Sequence, residues 1–440
     1  MTDRETTGGA LDGAAPRTAL VFPGQGAQKA GMGQTWRDTA SWALVAEVSE
    51  YTGIDVEELL LKADDETLRR TDLAQIAVFT TEVLAHREAE AAGLLGDVVA
   101  CAGHSLGEYT ALHAAGALPL ADTARLVAAR GRAMRGCAER SPGTMAAVVR
   151  LGPDTVEALV TQVQEDGGQV WIANVNAPGA IVLSGTAEAV DRLGELAVES
   201  EGKVIRLAVG GAFHSPLMAS AADDVREALA AVHFAAEHLP VVANVDARPY
   251  ASGERWRELE LNQLTSPVRW EESVRTLAGE LGCTRFVELG PGRQLTGMIR
   301  RIAKGALTVP VESAAALAKL TAPKPLKPPK PPKTRKHPEP PNPAEPHPLR
   351  AEGDPRMADA TAALDMDELR TFVADVLDVD EEDVTDDADF VKTLGVDSLM
   401  ALEVMVVLEK KYSVKLEERE MKDITTLRKV HDLLASKLEK

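Results

Sequence analysis

Residues 97–109 read DVVACAGHSLGEY. The first seven are an apolar run of small and β-branched residues, the composition of a strand buried inside a parallel sheet. A helix-forming stretch follows, and between the two Gly103-His104-Ser105-Leu106-Gly107 fits the pattern GxSxG. A strand before and a helix after give that pattern its meaning. The glycines allow a tight turn that lifts the serine hydroxyl into solvent, and the helix N-terminus supplies amide donors and a positive dipole for a developing oxyanion. Residues 97–109 therefore predict an α/β fold with Ser105 as its nucleophile.

The neighbouring sequence keeps the same rhythm. TALVF (18–22) is followed by helical patterns over 36–51 and 75–93, and another helix starts from Leu106. Apolar runs alternating with amphipathic stretches indicate a hydrolase-like parallel sheet. Residues 144–209 then read strand (144–149), helix (153–166), strand (170–175), strand (180–185), helix (187–199), strand (203–209), the order of a ferredoxin-like βαββαβ subdomain. PVVANV (240–245) and RFVELG (285–290) read as strands returning to the larger sheet.

The chain has 440 residues, 45% hydrophobic and 26% charged, enough for several packed cores. Its net charge of −20 opposes binding to nucleic acid or an anionic membrane, since phosphates would be repelled. No window approaches the run of about 18 apolar residues that a spanning helix needs. The first residues, MTDRETTGGALDGAAP, lack the apolar core of a secretory signal, so 1–17 are expected to be a loose tail. The three cysteines, Cys101, Cys137 and Cys283, include no CxxC pair. They support neither a disulfide framework nor a thiolate metal site, and a reducing cytoplasm is the expected compartment.

Twelve of the 25 prolines fall between Pro323 and Pro348. Such a stretch cannot be a helix or a central strand, and it is expected to be an extended polyproline linker over 321–358, reaching on the order of 80 Å. Lys324, Lys327, Lys330, Lys333 and Lys336 would line one edge of it. Residues 361–440 carry about half the net charge, and apolar residues at helical spacing (Leu369, Phe372, Val373, Val376, Leu377, then Leu399, Leu402, Val406, Leu408, then Leu427, Val430, Leu433, Leu434) imply a small acidic all-α bundle. The run DVDEEDVTDDADF has no glycine at the turn position of an EF-hand and reads as a solvated acidic loop.

Serine needs a base. His214, in GGAFHSPLM after the strand VIRLAV, stands where a loop could leave a strand end facing the elbow. His233, His238 and His431 read as surface residues, and the strained turn should point His104 away from Ser105 as structural support. Taken alone, Ser105 and His214 fit a serine hydrolase as well as a transferase.

Six ordered motifs distinguish the two: FPGQGAQ (22–28), GHSLGEY (103–109), LVAARGRAM (126–134), AFHSPLM (212–218), NQLTSPVRW (262–270) and ELGPGRQLTGMIRR (288–301). Together they resemble the malonyl-CoA:acyl-carrier-protein transacylases over nearly all of residues 18–305. The resemblance implies an acyltransferase domain over 18–315 in which Ser105 becomes malonylated from the CoA thioester and His214 is the base. It further implies that the Gln263 segment orients that histidine, that the backbone amides of Gln25 and Leu106 form the oxyanion hole, and that Arg130 receives the malonyl carboxylate. A planar guanidinium can hold a carboxylate by two parallel charge-assisted bonds, which lysine cannot. Phe213 sits in a run similar to the malonyl-selecting loop of polyketide synthase acyltransferases, where a bulky ring should crowd a 2-methyl group by about 1–3 kcal/mol.

LGVDSL (394–399) is also a helix start, with Asp or Ser capping free amides. Within its acidic bundle it resembles an acyl carrier protein, which implies a four-helix bundle over 361–440 and a 4′-phosphopantetheine arm on Ser398. The implied function is malonyl transfer from malonyl-CoA to a carrier thiol, in cis or in trans, for fatty-acid or polyketide synthesis. A ketosynthase and a phosphopantetheinyl transferase are the further partners implied, and no metal, nucleic acid or membrane is required. The competing readings are a proofreading acyl hydrolase, which has less need of Arg130, and a noncatalytic carrier scaffold.

Overall fold

The computed structural model describes residues 15–322, 365–377, 381, 384–390, 404–405, 407–409, 411–412, 414–416 and 425–438. The chain divides into two compact units, Met1–Thr321 and Ala322–Lys440, each described by itself.

The first unit is built on a six-stranded sheet of β1 (Arg17–Phe22), β2 (Asp97–Gly103), β7 (Val241–Val242), β8 (Pro249–Tyr250), β9 (Arg285–Leu289) and β10 (Leu307–Val311). The spatial order is β10-β9-β1-β2-β7-β8, parallel throughout except for β8, which runs antiparallel to β7. Alternate residues of each strand enter opposite layers. Leu20, Phe22, Cys101 and Val287 join the larger core, with the helices Thr71–Ala91, Gly107–Ala114 and Leu120–Arg140. Ala19, Val21, Ala100, Ala102 and Phe286 face the opposite layer, with Trp270, Leu295 and Ile299. Burial on both faces explains why the inner parts of β1 and β2, residues 19–22 and 100–103, carry no polar side chain.

A second sheet joins β3 (Thr144–Val149), β4 (Val170–Ala177), β5 (Ala180–Gly185) and β6 (Lys203–Arg206) in the order β4-β5-β3-β6, all neighbours antiparallel. The helices Pro153–Glu165 and Ala187–Glu199 bury Val156, Val163, Val190 and Leu193 against it. The sheet is attached at β4. Val268 donates to Ala173 O (2.8 Å) and accepts from the Val175 amide (2.9 Å), which sets β4 beside the segment following Gln263.

The structure departs from the sequence reading in particular places. The run 203–209 is a strand only to Arg206, and PVVANV contributes only Val241–Val242. Residues 36–51 begin as two short 3-10 turns, Gln34–Trp36 and Ala40–Ala43, before the helix Leu44–Thr52, and the Thr39 hydroxyl donates to Trp36 O (2.7 Å) at the break. Strands β8 and β10 were not anticipated, because each contains a proline (Pro249, Pro310). Both are edge strands, where a missing N–H breaks no ladder. The helix Ala314–Thr321 buries Leu317 and carries the packed unit through Thr321, past the expected limit at 315.

In the second unit the helices Met366–Leu377 and Leu427–Leu438 bury Leu369, Val373, Leu377, Leu427, Val430 and Leu434. Within the described part of the acidic run Asp387 is exposed, as expected, and the run also makes ion pairs: Asp386 with Arg370 (2.5 Å) and Arg428 (3.2 Å), and Asp387 with Arg428 (2.9 Å). Ser398 and its motif, the proline-rich stretch and the N-terminal tail to residue 14 lie outside the described residues. Among the described residues no helix is long and apolar enough to cross a membrane.

The elbow leaves no room for side chains at its two glycines. A Cβ on Gly107 would lie 2.1 Å from Phe22 O, and one on Gly103 would lie 1.9 Å from the Gly107 carbonyl carbon. Gly107→Ala is expected to lower stability by about 1–3 kcal/mol in urea denaturation. Gly297→Ala, on the helix Gln294–Ile302 with nothing within 4 Å of the added carbon, is expected to raise it by about 0.5–1 kcal/mol. Equal effects at the two positions would contradict this packing.

Candidate active site

Ser105 stands between the end of β2 and the start of the helix Gly107–Ala114 with φ +52°, a left-handed conformation costing a non-glycine residue about 1–2 kcal/mol. Neighbouring groups hold it there. The Asn244 side chain donates from Nδ2 to Gly103 O (2.7 Å) and accepts from the Ser105 amide at Oδ1 (2.7 Å), bridging the turn. The His104 amide donates to Phe22 O (2.9 Å). The His104 side chain turns away to Asn176 Oδ1 (2.8 Å) and the Trp270 ring (5.7 Å between centroids), the supporting place expected for it.

His214 reaches the nucleophile from the loop after β6, its Nε2 2.7 Å from Ser105 Oγ. Its own φ is +57°, and its Nδ1 lies 2.9 Å from the backbone carbonyl of Gln263. That carbonyl can only accept. It therefore fixes the proton on Nδ1 and leaves Nε2 free to take the serine proton. Burial, reinforced by the nearby Arg130 charge, pushes the His214 pKa from 6.5 down to about 3, so the imidazole is a neutral base at physiological pH.

Arg130, on the helix Leu120–Arg140, is 1% exposed. Its Nη1 donates to Gln75 Oε1 (2.9 Å), and its Nη2 donates to Gln263 Oε1 (2.7 Å) and Ser105 Oγ (3.1 Å). The guanidinium stands over the Tyr109 ring at 5.4 Å. Among the described residues it forms no ion pair with a carboxylate, so a buried cation beside the nucleophile retains its positive charge for a ligand.

The residues expected to donate to an oxyanion are distributed consistently with that role. The Ser105 amide is committed to Asn244, whereas neither the Leu106 nor the Gln25 amide makes a hydrogen bond among the described residues. Gln25 lies in the turn after β1, which packs on the elbow so closely that a Cβ on Gly24 would sit 2.5 Å from His104 O. Phe213 is 5% exposed and belongs to the larger core. A cleft of about 370 Å³ opens beside His214, lined by Pro216, Thr265 and Pro267 on one side and by Val160, Trp171 and Ile172 on the other.

Sequence reasoning did not single out Asn244, Glu108 or Gln75. A signal existed for the first two: an asparagine at the end of an apolar strand run, and a glutamate directly after the elbow, which proves fully buried. Gln75 had no such marker.

A serine–histidine pair on a parallel α/β sheet, with a buried arginine at the nucleophile, defines a serine-dependent acyltransferase. Residues 19–322 match the acyl transferase domain model, and residues 367–434 match the phosphopantetheine attachment site model. The malonyl CoA-acyl carrier protein transacylase of Bacillus subtilis is 38% identical over 298 residues, covering 67% of this chain and 93% of that one. The crystal structure of the Xanthomonas oryzae malonyl-CoA:acyl carrier protein transacylase superposes with a TM-score of 0.66 at 39% identity, covering 69% of this chain and 97% of that one. A malonyl-transacylase solved in complex with its type II polyketide synthase acyl-carrier protein gives a TM-score of 0.66 at 33% identity, covering 69% and 99%. The chain belongs to the malonyl-CoA:acyl carrier protein transacylase family, with a phosphopantetheine attachment domain fused at its C-terminal side.

A base titrating far below 6.5 stays deprotonated as pH falls through that value. The rate of Ser105 acylation at low malonyl-CoA should therefore change by less than about twofold between about pH 5 and 7. An acid limb centred near 6.5 in rapid-quench measurements would contradict the buried, neutral His214.

Proposed function

We propose that this chain carries malonyl from malonyl-CoA, through an ester on Ser105, to the phosphopantetheine thiol of an acyl carrier protein, its own included. The observation that carries this reading is the Arg130 guanidinium, buried and 3.1 Å from Ser105 Oγ with no carboxylate in ion-pair contact among the described residues. A hydrolase of neutral acyl groups has no use for that charge.

In the first half-reaction His214 Nε2 takes the Ser105 proton as Oγ attacks the thioester carbonyl. The carbonyl oxygen becomes an oxyanion facing the Leu106 and Gln25 amides, and collapse expels the CoA sulfur, which takes the proton back from His214. Gln263 O holds the imidazole in the required tautomer throughout. Arg130 fixes the far end of the acyl group by its carboxylate, which places the thioester at Oγ. The second half-reaction is the reverse chemistry with a carrier thiol as nucleophile, its proton passing to His214 and on to Ser105 Oγ. The phosphopantetheine arm supplies that thiol. Its attachment to Ser398 rests on the motif LGVDSL and on the match over residues 367–434.

The finer assignments belong to the same reading. Residues 144–209 form a ferredoxin-like subdomain, a reading supported by the sheet order β4-β5-β3-β6 with two helices packed against it. Residues 361–440 form a four-helix carrier, supported by the packed helices Met366–Leu377 and Leu427–Leu438. Residues 321–358 tether it to the acyltransferase, holding the carrier at roughly millimolar local concentration if the span suffices. Phe213 biases the site towards malonyl over its 2-methyl homologue. A ketosynthase and a phosphopantetheinyl transferase are the partners this chemistry requires, and the cytoplasm is the compartment.

Arg130→Ala removes one or two charge-assisted bonds of about 1.5–3 kcal/mol and should lower kcat/KM for malonyl-CoA by about tenfold to a hundredfold relative to acetyl-CoA. Parallel losses with the two donors would sink the carboxylate clamp.

A further inference from the structure

Behind the nucleophile lies a buried carboxyl group that the chemistry above does not use. Glu108, the second residue of the helix that begins at Gly107, is fully buried, and both its oxygens accept hydrogen bonds. Oε1 accepts from Gln263 Nε2 (2.9 Å) and Oε2 from the Asn244 backbone amide (2.6 Å). Those two residues hold almost every part of the site. Asn244 bridges Gly103 O and the Ser105 amide; Gln263 meets Arg130 through Oε1, Ser105 O through Nε2 (3.1 Å) and His214 through its backbone carbonyl.

The order of donors and acceptors along this chain leaves no freedom. A guanidinium has only donors, so Gln263 must turn its carbonyl oxygen to Arg130 and its amino group to the opposite side. Whatever faces that amino group must accept, and Glu108 does. Burial, and then the neighbouring Glu260 carboxyl, push the Glu108 carboxyl well above the usual carboxylate range, while the hydrogen bonds from Asn244 and Gln263 act in the opposite direction. Both oxygens accept, so the side chain meets Gln263 and Asn244 as an acceptor only.

We infer that Glu108 is a positioning residue: by accepting from Gln263 Nε2 it fixes the direction of the Gln263 amide, and through it the placement of the Arg130 clamp for the acyl carboxylate. This inference rests on the reading of Arg130 as that clamp.

Glu108→Gln is nearly isosteric but replaces one acceptor by a donor. The Asn244 backbone amide cannot turn, so the substituted side chain would keep its oxygen there and present its amino group to Gln263. Gln263 must then either leave donor facing donor or flip, which turns its own amino group towards Arg130. Either outcome disturbs the clamp while leaving the Asn244 bridge at the elbow in place.

The test uses the full chain and measures kcat/KM for malonyl-CoA and acetyl-CoA, together with the rate of Ser105 labelling by a fluorophosphonate, which needs the nucleophile and base but no carboxylate clamp. Glu108→Gln should lower the malonyl-to-acetyl ratio by about tenfold while slowing labelling by less than about threefold. In an Arg130→Ala background it should lower the ratio no further. Equal losses in both donors and in labelling, or additive effects in the double variant, would overturn the inference and leave Glu108 a merely structural residue. If Arg130→Ala itself leaves the ratio at the wild-type value, the clamp reading fails and the inference with it. If Arg130→Ala lowers the ratio and Glu108→Gln does not, the inference alone fails. Should thermal melts show that Glu108→Gln does not fold, Gln263→Leu cuts the same relay one residue downstream while its backbone carbonyl still holds His214. A selective loss of malonyl use there supports the relay, and an unselective loss overturns it.

Discussion

The left-handed turn at Ser105 is the constraint from which the rest of the site follows. A serine at φ +52° is unfavourable on its own, and it persists because the surroundings determine it from several sides. The Asn244 side chain closes the turn from Gly103 O to the Ser105 amide, Phe22 O accepts from the His104 amide, and the two glycines admit backbone contacts that any side chain would block. The strain serves a purpose. It aims Oγ at His214, commits the Ser105 amide to Asn244, and leaves the Leu106 amide at the head of a helix without a hydrogen bond among the described residues, the position the proposed oxyanion role requires.

A second arrangement gives this nucleophile its substrate. The interior around Ser105 contains a neutral histidine, two buried carboxyl groups, Glu108 and Glu260, whose pKa values burial raises, and a cationic Arg130 whose hydrogen bonds go to amide oxygens and a hydroxyl. Arg130 acts on the buried Glu260 carboxyl but makes no direct ion pair among the described residues, and in the proposed reaction the carboxylate of the acyl group would supply that contact. The same positive charge contributes to depressing His214, so binding a malonyl carboxylate would also ease proton transfer to the imidazole. Recognition and reactivity are thus coupled through one side chain.

Much of this was legible in the sequence, for reasons that can be named. Strand β2 was readable because its apolar run from Val98 becomes fully buried over residues 100–103 and the elbow glycines mark its end. Edge strands carry no such signature, and Pro249 and Pro310 concealed β8 and β10. Ser105, His214, Arg130 and Gln263 were found because their motifs are local, and the structure links all four through direct hydrogen bonds. Asn244 and Glu108 were not found, since their importance lies in whom they bond across a separation of 136 residues, which periodicity and spacing do not reveal. The ion pairs of Asp386 and Asp387 were missed for the same reason, since Arg370 and Arg428 are remote in the chain, although Asp387 is as exposed as the acidic run suggested.

The most direct measurement is intact and peptide mass spectrometry of the phosphopantetheinylated protein after brief exposure to malonyl-CoA, with Ser105→Ala and Ser398→Ala in parallel. The account predicts a malonyl mass on the Ser398 arm that disappears in Ser105→Ala, and a malonyl ester retained on Ser105 in Ser398→Ala. Rapid release of CoA with no malonyl retained on either serine would mean that water is the acceptor, and would contradict the account.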